Sequence, residues 1–508
     1  MLVRPGRRGL PRRVTLVPLI LLVAAFSAFA YAGPALDAQS LSLGEENSWI
    51  RVQNLGGDAA SVDVTFYDRA GNVVAEDGCP NGGCGPIAPG FGWSFFQQGF
   101  GGVAEGYRGS AFVTADQPFV ALLARDVFKG GQFQIAGDTL RLGPGTSTLY
   151  LPVVQNHAGY VSRISVQNSS ETADACVRIE YWAEGASSVT AVDPPGPTSG
   201  CPDGGTRIPA RGTLVRDETN LPVTNFEGAA IVRALATGSG VGASAQRLAA
   251  TVDTRDRDGA GLATYRGIGP DEVSGTVALP QVDRNASDLG ATWSTRFRIL
   301  NASPGGANQV KLRYEGTNGD GERVEIEHEI VVTSALTCDQ AASGVAGCLP
   351  DEYDLPPSFR GTVRIIATSP IAVVAQRRDS DGSLDNYRGL TTEAASRQVM
   401  LPVVNKNYGP FGDQAGWNSS LRVLTFDGST AHVRVIYFSK EFQNGRVYGP
   451  VSIDGESTLR QWEDTGLPDG WVGSAIVVSD QPVVVVANIE TEVFSGDRVL
   501  MYGGVSIE

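Results

Sequence analysis

The sequence predicts an all-β protein, a tandem array of four immunoglobulin-like β-sandwich domains after an N-terminal signal segment. Three observations predict it. A stretch running from Gly to Pro recurs as GSAFVTADQPFVALLA at 109–124, GTVRIIATSPIAVVAQ at 361–376 and GSAIVVSDQPVVVVAN at 473–488. A fourth copy starts at Gly228, with Thr237-Gly238 where the Pro would stand. Around each copy lie short period-two apolar runs separated by Gly/Pro/Asn turns, and no segment shows a capped helical stripe. The copies lie roughly 110–130 residues apart, which suits an autonomous sandwich and exceeds a propeller blade of about 40–50 residues. The boundaries read as a signal peptide at 1–32 and β-sandwich repeats at 33–140, 141–270, 271–392 and 393–508.

The signal segment comes first. Arg4, Arg7, Arg8, Arg12 and Arg13 precede an apolar run at 14–30 and Ala30-Tyr31-Ala32, the layout of an export signal cut after Ala32 or near Ala38. A retained single-pass anchor is the other reading, but the run is short and Pro18 interrupts it. No later stretch is apolar for long enough to span a bilayer, and the end, MYGGVSIE, has no sorting sequence or hydrophobic tail.

Repeat one begins near Leu41. It has a strand ending Val52-Gln53-Asn54, then Val62, Val64 and Phe66 alternating with Asp63, Thr65 and Tyr67. Repeats two, three and four open with Leu151-Pro152, Leu279-Pro280 and Leu401-Pro402. In repeats two and three a strand follows that ends at Asn168 or Asn301. Repeat four has Trp417 leading into a strand at 421–426. Each Gly-to-Pro stretch reads as a hairpin, because Asp and Pro favour a turn at Asp480-Gln481-Pro482 and its equivalents. The units end in Tyr265-Arg266-Gly267, Tyr387-Arg388-Gly389 and Tyr502-Gly503-Gly504, which read as short structured joints. The expected assembly is a semi-rigid rod of four domains in a line.

The six cysteines pair by proximity as Cys79 with Cys84, Cys176 with Cys201 and Cys338 with Cys348. An even count in an exported chain favours disulfides over metal or redox roles. Formal charge is −15, or −20 without the signal arginines, which opposes nucleic acid and anionic membrane as partners.

The Leu-Pro-Val-Val openings, the Trp-led strands and the Gly-Ser-Ala…Asp-Gln-Pro-Val-Val stretch resemble tandem β-sandwich repeat domains of bacterial secreted and cell-surface proteins, Chloroflexota-like, over about residues 41–505. The resemblance implies extracellular placement and a structural or adhesive role, and it brings no catalytic residues with it.

Little in the chain points to chemistry. His157, His328 and His432 lie in different repeats, and no nucleophile elbow or phosphate loop occurs. Asp253, Asp256 and Asp258 precede Gly259, while Asp379 and Asp381 precede Gly382 with Asp385 beyond, so calcium at these acidic turns is the one cofactor to consider. Solvated Asp/Gly turns are the plainer reading. Asn168, Asn285, Asn301 and Asn418 head glycan-acceptor triplets. The expected function is that of a non-enzymatic exported structural or adhesive protein of the bacterial cell surface, assembling with itself or with other surface components. One alternative is a polysaccharide-binding protein using Trp93, Trp182, Trp417, Trp462 or Trp471; another is a secreted hydrolase built on two gathered carboxylates.

Overall fold

In the computed structural model, residues 45–507 are described apart from short stretches at 81–83, 130–131, 141–142, 144, 202–203, 237–244, 258–260, 289, 343–345, 347, 350–353, 410–415 and 493–495. The signal segment, Asp258 and Thr237-Gly238 therefore lie outside the described residues. The protein is all-β, an array of β-sandwich units, and every sheet draws its strands from a single repeat. All six cysteines are paired as the spacing predicts, with Cα–Cα distances of 5.0, 5.6 and 5.1 Å.

The repeated Gly-to-Pro stretch is not a hairpin. In the third unit it is one strand, Phe359–Asp379, and in the fourth it is Trp471–Glu490. The first half of the third-unit strand pairs with Asn308–Thr317 and its second half with Ala291–Asn301. The strand thus crosses from one layer of the sandwich to the other, and Pro370 or Pro482 stands where it changes partners. A missing N–H does little harm at that point, because the ladder is interrupted there anyway. In the first unit the crossing strand is broken into Ser110–Ala115 and Phe119–Lys129. In the second it becomes Phe226–Leu235 and Leu248–Asp256.

Each Asn that ends a strand is a buried clamp. The Asn54 amide donates to the Asp58 and Ile87 carbonyls at 2.8 and 2.7 Å, and its oxygen accepts from the Gly56 N–H. Asn168 and Asn301 repeat this, and Thr425 takes the place in the fourth unit. Buried and fully engaged, Asn168 and Asn301 are not available as glycan acceptors. The tyrosine of each exit joint is equally fixed. Tyr265 donates to the Val153 carbonyl at 2.7 Å and accepts from the Val153 N–H at 3.1 Å. Tyr502 holds Val403 in the same way, and Tyr387 donates to the Gln281 carbonyl. In units three and four the opening strand shifts register beside its Leu-Pro, and in unit two the irregularity lies across the ladder at Gly228/Ala230. The hydroxyl occupies backbone groups that the irregular ladder leaves unpaired.

The units are not in a line. The exit strands Gln132–Thr139, Leu262–Arg266, Leu384–Arg388 and Val499–Gly503 pack first on second, second on third, third on fourth and fourth on first. The apolar cores follow the same cycle. Leu300 and Val374 of the third unit complete the second core, Val484 and Met501 of the fourth complete the third, and Leu122 and Phe133 of the first complete the fourth. The rod expected from the sequence is replaced by a ring, because each sandwich leaves an apolar surface that only its neighbour covers.

Candidate functional site at the charged joints and a cleft in the second unit

Much of the buried charge lies where units meet. Arg51, Arg298 and Arg422 occupy equivalent positions, three residues before Asn54, Asn301 and Thr425. Each is flanked by a core residue (Val52, Ile299 or Val423), so alternation aims it at the opposite sheet face, where the preceding unit lies. Arg51 Nε donates to the Pro402 carbonyl at 2.6 Å, and Arg422 Nε donates to the Pro280 carbonyl at 2.9 Å. Arg298 donates to the Gly228 carbonyl at 2.7 Å and pairs with Glu227, which Arg296 also contacts. The recurrence of an arginine inside an apolar strand was visible in the sequence, and it is the signal that could have revealed these joints.

At the centre, aspartates accept from backbone donors of other units. Asp138 of the first unit accepts from the Arg266 N–H at 3.0 Å and from Arg388 Nε at 2.8 Å. Asp497 of the fourth accepts from the Leu262 N–H at 2.7 Å, while its own N–H donates to the Phe133 carbonyl at 2.7 Å. Asp385 accepts from the Met501 N–H. Burial pushes Asp385 and Asp497 well above the usual carboxylate range, and in Asp385 the neighbouring Asp497 adds to it. These contacts serve donors on the exit strands that a paired strand would otherwise take.

The joint between the first and second units is the most heavily charged. Glu46 receives Arg125 at 3.0 Å, Arg255 at 3.0 Å, Arg163 at 3.3 Å and Arg108 at 3.7 Å. Burial alone would raise its pKa, but Arg255, Arg125, Arg163 and Arg108 hold it down to about 2. Beside this knot is a cleft of about 270 Å³ whose walls include Arg163, Arg255, Asp217, Glu218, Asp253 and Asp256.

The aspartates of the acidic turns lie in different surroundings. Asp253 has a fully buried side chain, pairs with Arg125 at 2.7 Å and accepts from Thr264 Oγ1 at 2.9 Å. Asp256 lines the cleft. Asp379 and Asp381 share Arg498, at 3.4 and 2.8 Å. Asp385 lies in the central hub, in contact with another unit. Among the described residues no three His, Cys, Asp or Glu side chains converge in a way that could hold a metal ion.

The tryptophans follow the cores rather than a groove. Trp471 is buried edge-on to Tyr437 and donates to Ser439 Oγ at 2.9 Å. Trp417 packs on Phe133 of the first unit at 5.8 Å, and Trp93 and Trp182 pack against the cores of their own units. Trp462 is half-buried in the fourth unit. The histidines stay apart. His157 lies 4.0 Å from Glu227 at the second joint, His328 shares a strand face with Ile326 and Ile330, and His432 pairs with Asp480 on the surface at 2.8 Å.

No family model matches the chain, and no curated protein matches it. Among solved structures, one similar chain is a "tetra-tandem repeat in extending region of large adhesion protein", with 14% identity over 89% of this chain and 93% of that one and a TM-score of 0.09. Another is the infectious bursal disease virus Gx strain, with 10% identity, 89% and 81% coverage and a TM-score of 0.10. Likenesses this slight carry no argument about the chain.

Proposed function

We propose that this is a non-enzymatic structural or adhesive protein, exported to the bacterial cell surface, in which four sandwiches are fastened into a rigid scaffold. The observation that carries this reading is the placement of the buried charge. Arg51, Arg298, Arg422, Asp138, Asp385 and Asp497 all bond across unit boundaries rather than facing an open site. Three disulfides fit an oxidising compartment, and among the described residues no helix is long and apolar enough to cross a membrane. The lineage and the surface location rest on the sequence resemblance and the signal-like N-terminus.

The cleft in the second unit favours polysaccharide binding as a second reading, since arginines and carboxylates beside each other suit polar sugar groups. A hydrolase would need a carboxyl held protonated to act as a general acid. Asp217 runs the other way, lowered by its hydrogen bond from Thr219, and Glu218 faces Arg257 at 3.4 Å. The test is to purify the exported protein and measure retention on cells, ordered assembly, glycan binding and polymer hydrolysis in parallel. Cell retention or assembly without turnover supports the proposal. A protein that never associates with cells and hydrolyses a polymer overturns it.

A further inference from the structure

Asn-x-Ser triplets begin at Asn168, Asn285, Asn301 and Asn418, and the fold treats them differently. Asn168 and Asn301 are buried, and their amide nitrogens already donate to main-chain carbonyls. A sugar on either would have to enter a buried site and take away a donor that closes a strand end. Asn418 is half-buried at the start of the strand Asn418–Leu424, and its oxygen accepts from the Asn407 N–H at 2.9 Å. The hydroxyl two residues further on, that of Ser420, is buried and receives the Asn488 amide at 3.2 Å.

Asn285 differs on each of these points. It forms the corner between the opening strand Ser274–Arg284 and the short strand Ala286–Asp288, with a φ of 49°. Asn adopts that left-handed backbone more readily than most residues, which accounts for Asn at the corner but not for the serine two residues on. Its N–H donates to Ser294 Oγ at 3.1 Å, and Ser294 Oγ donates back to Asn285 Oδ1 at 3.1 Å. The side chain is thus held by its oxygen, while Nδ2 donates to nothing among the described residues. Asn285 and Ser287 are both exposed, and Ala286 between them is buried.

We propose that Asn285 is an N-glycan acceptor, and that it is the one of the four that the folded chain can carry modified. The inference rests on the export contained in the function proposed above. The donor is a lipid-diphosphate-linked oligosaccharide, presented by a transferase of the exporting cell. Asn285 Nδ2 forms a bond to the anomeric carbon as that carbon's bond to the diphosphate oxygen breaks. The diphosphate leaves with the electron pair, and Nδ2 gives up one proton. The amide carbonyl is kept, so the bond from Ser294 to Oδ1 survives the transfer. At this corner the sugar extends into solvent, and no buried side chain has to move.

The test is peptide mass spectrometry on the full chain, recovered by fractionation from the cells that make it, for the unsubstituted protein, Ser287→Ala and Ser287→Thr. Neither substitution touches Asn285, its turn or its bonds to Ser294. The expected result is sugar mass on the Asn285 peptide of the exported protein, its complete loss in Ser287→Ala and its retention in Ser287→Thr. Asn168, Asn301 and Asn418 should be bare in all three. An exported chain with Asn285 bare overturns the proposal and leaves export standing. Sugar that persists in Ser287→Ala, or that sits on Asn168, Asn301 or Asn418, overturns it as well. A chain held in the cytoplasm overturns both the glycan and the export.

Discussion

Buried polar side chains that repeat from unit to unit set the local geometry. Tyr265 satisfies both the N–H and the carbonyl of Val153 with one hydroxyl. Tyr265→Phe leaves both groups buried without a partner, so it should cost about 1–3 kcal/mol, measured by denaturant unfolding. Glu490 offers a test of opposite sign. Burial raises its pKa to about 7 from 4.5. A folded-state pKa above the unfolded one means a contribution that is complete below pH 4.5 and lost as pH rises through about 7. Glu490→Gln, neutral at every pH, should therefore be more stable than the parent at pH 8, by about 3 kcal/mol, and show little difference at pH 4. Equal effects at both pH values would show that the carboxyl is not held protonated.

Strands and their joints carry the next level of prediction. The Glu46 knot links the strand Glu45–Asn54 to Arg125 of the crossing strand and to Arg163 and Arg255 of the second unit. Its pKa is depressed, so its contribution is complete above about 4.5 and is lost as pH falls towards about 2. Proteolysis at this joint should accelerate across that window, and Glu46→Gln should show the faster cutting already at neutral pH. Among the disulfides, Cys176–Cys201 closes the longest loop, 25 residues against 10 and 5. Replacing that pair by serines should cost about 3 kcal/mol, more than replacing Cys79 and Cys84. The strands themselves were legible, since alternation at Val62, Val64 and Phe66 and the Asn endings depend on near neighbours. The crossing was not. Asp-Gln-Pro marks a bend equally well in a hairpin and in a strand that changes sheets, and only the partners on either side, Asn308–Thr317 and Ala291–Asn301, decide between them.

For the whole molecule, the decisive contact joins units that are farthest apart in the chain. Arg51 reaches Pro402, Ser474 Oγ donates to the Gly90 carbonyl at 2.6 Å, and Phe91 packs against Phe438 at 6.4 Å. Arg51→Ala combined with Ser474→Ala should loosen this joint ahead of the others. Small-angle scattering should then show a larger radius of gyration with strand content unchanged by circular dichroism. An unaltered radius would mean that the apolar contacts alone keep the ring closed. Four-fold repetition could be read from the sequence, but closure could not, because a repeat that buries its side on a neighbour looks the same in a rod and in a ring. The charged joints were half legible: the arginines stood out within apolar strands, while their targets are main-chain carbonyls, which leave no mark on a sequence.

Closure also has a consequence in time. Leu122, Ala124, Phe133 and Ile135 belong to the first unit, yet they are buried in the core of the fourth. A chain made from its N-terminus presents these side chains long before their covering exists. The earliest unit to emerge is thus the last to be finished, and the nascent protein must wait, partly uncovered, until its final strands arrive.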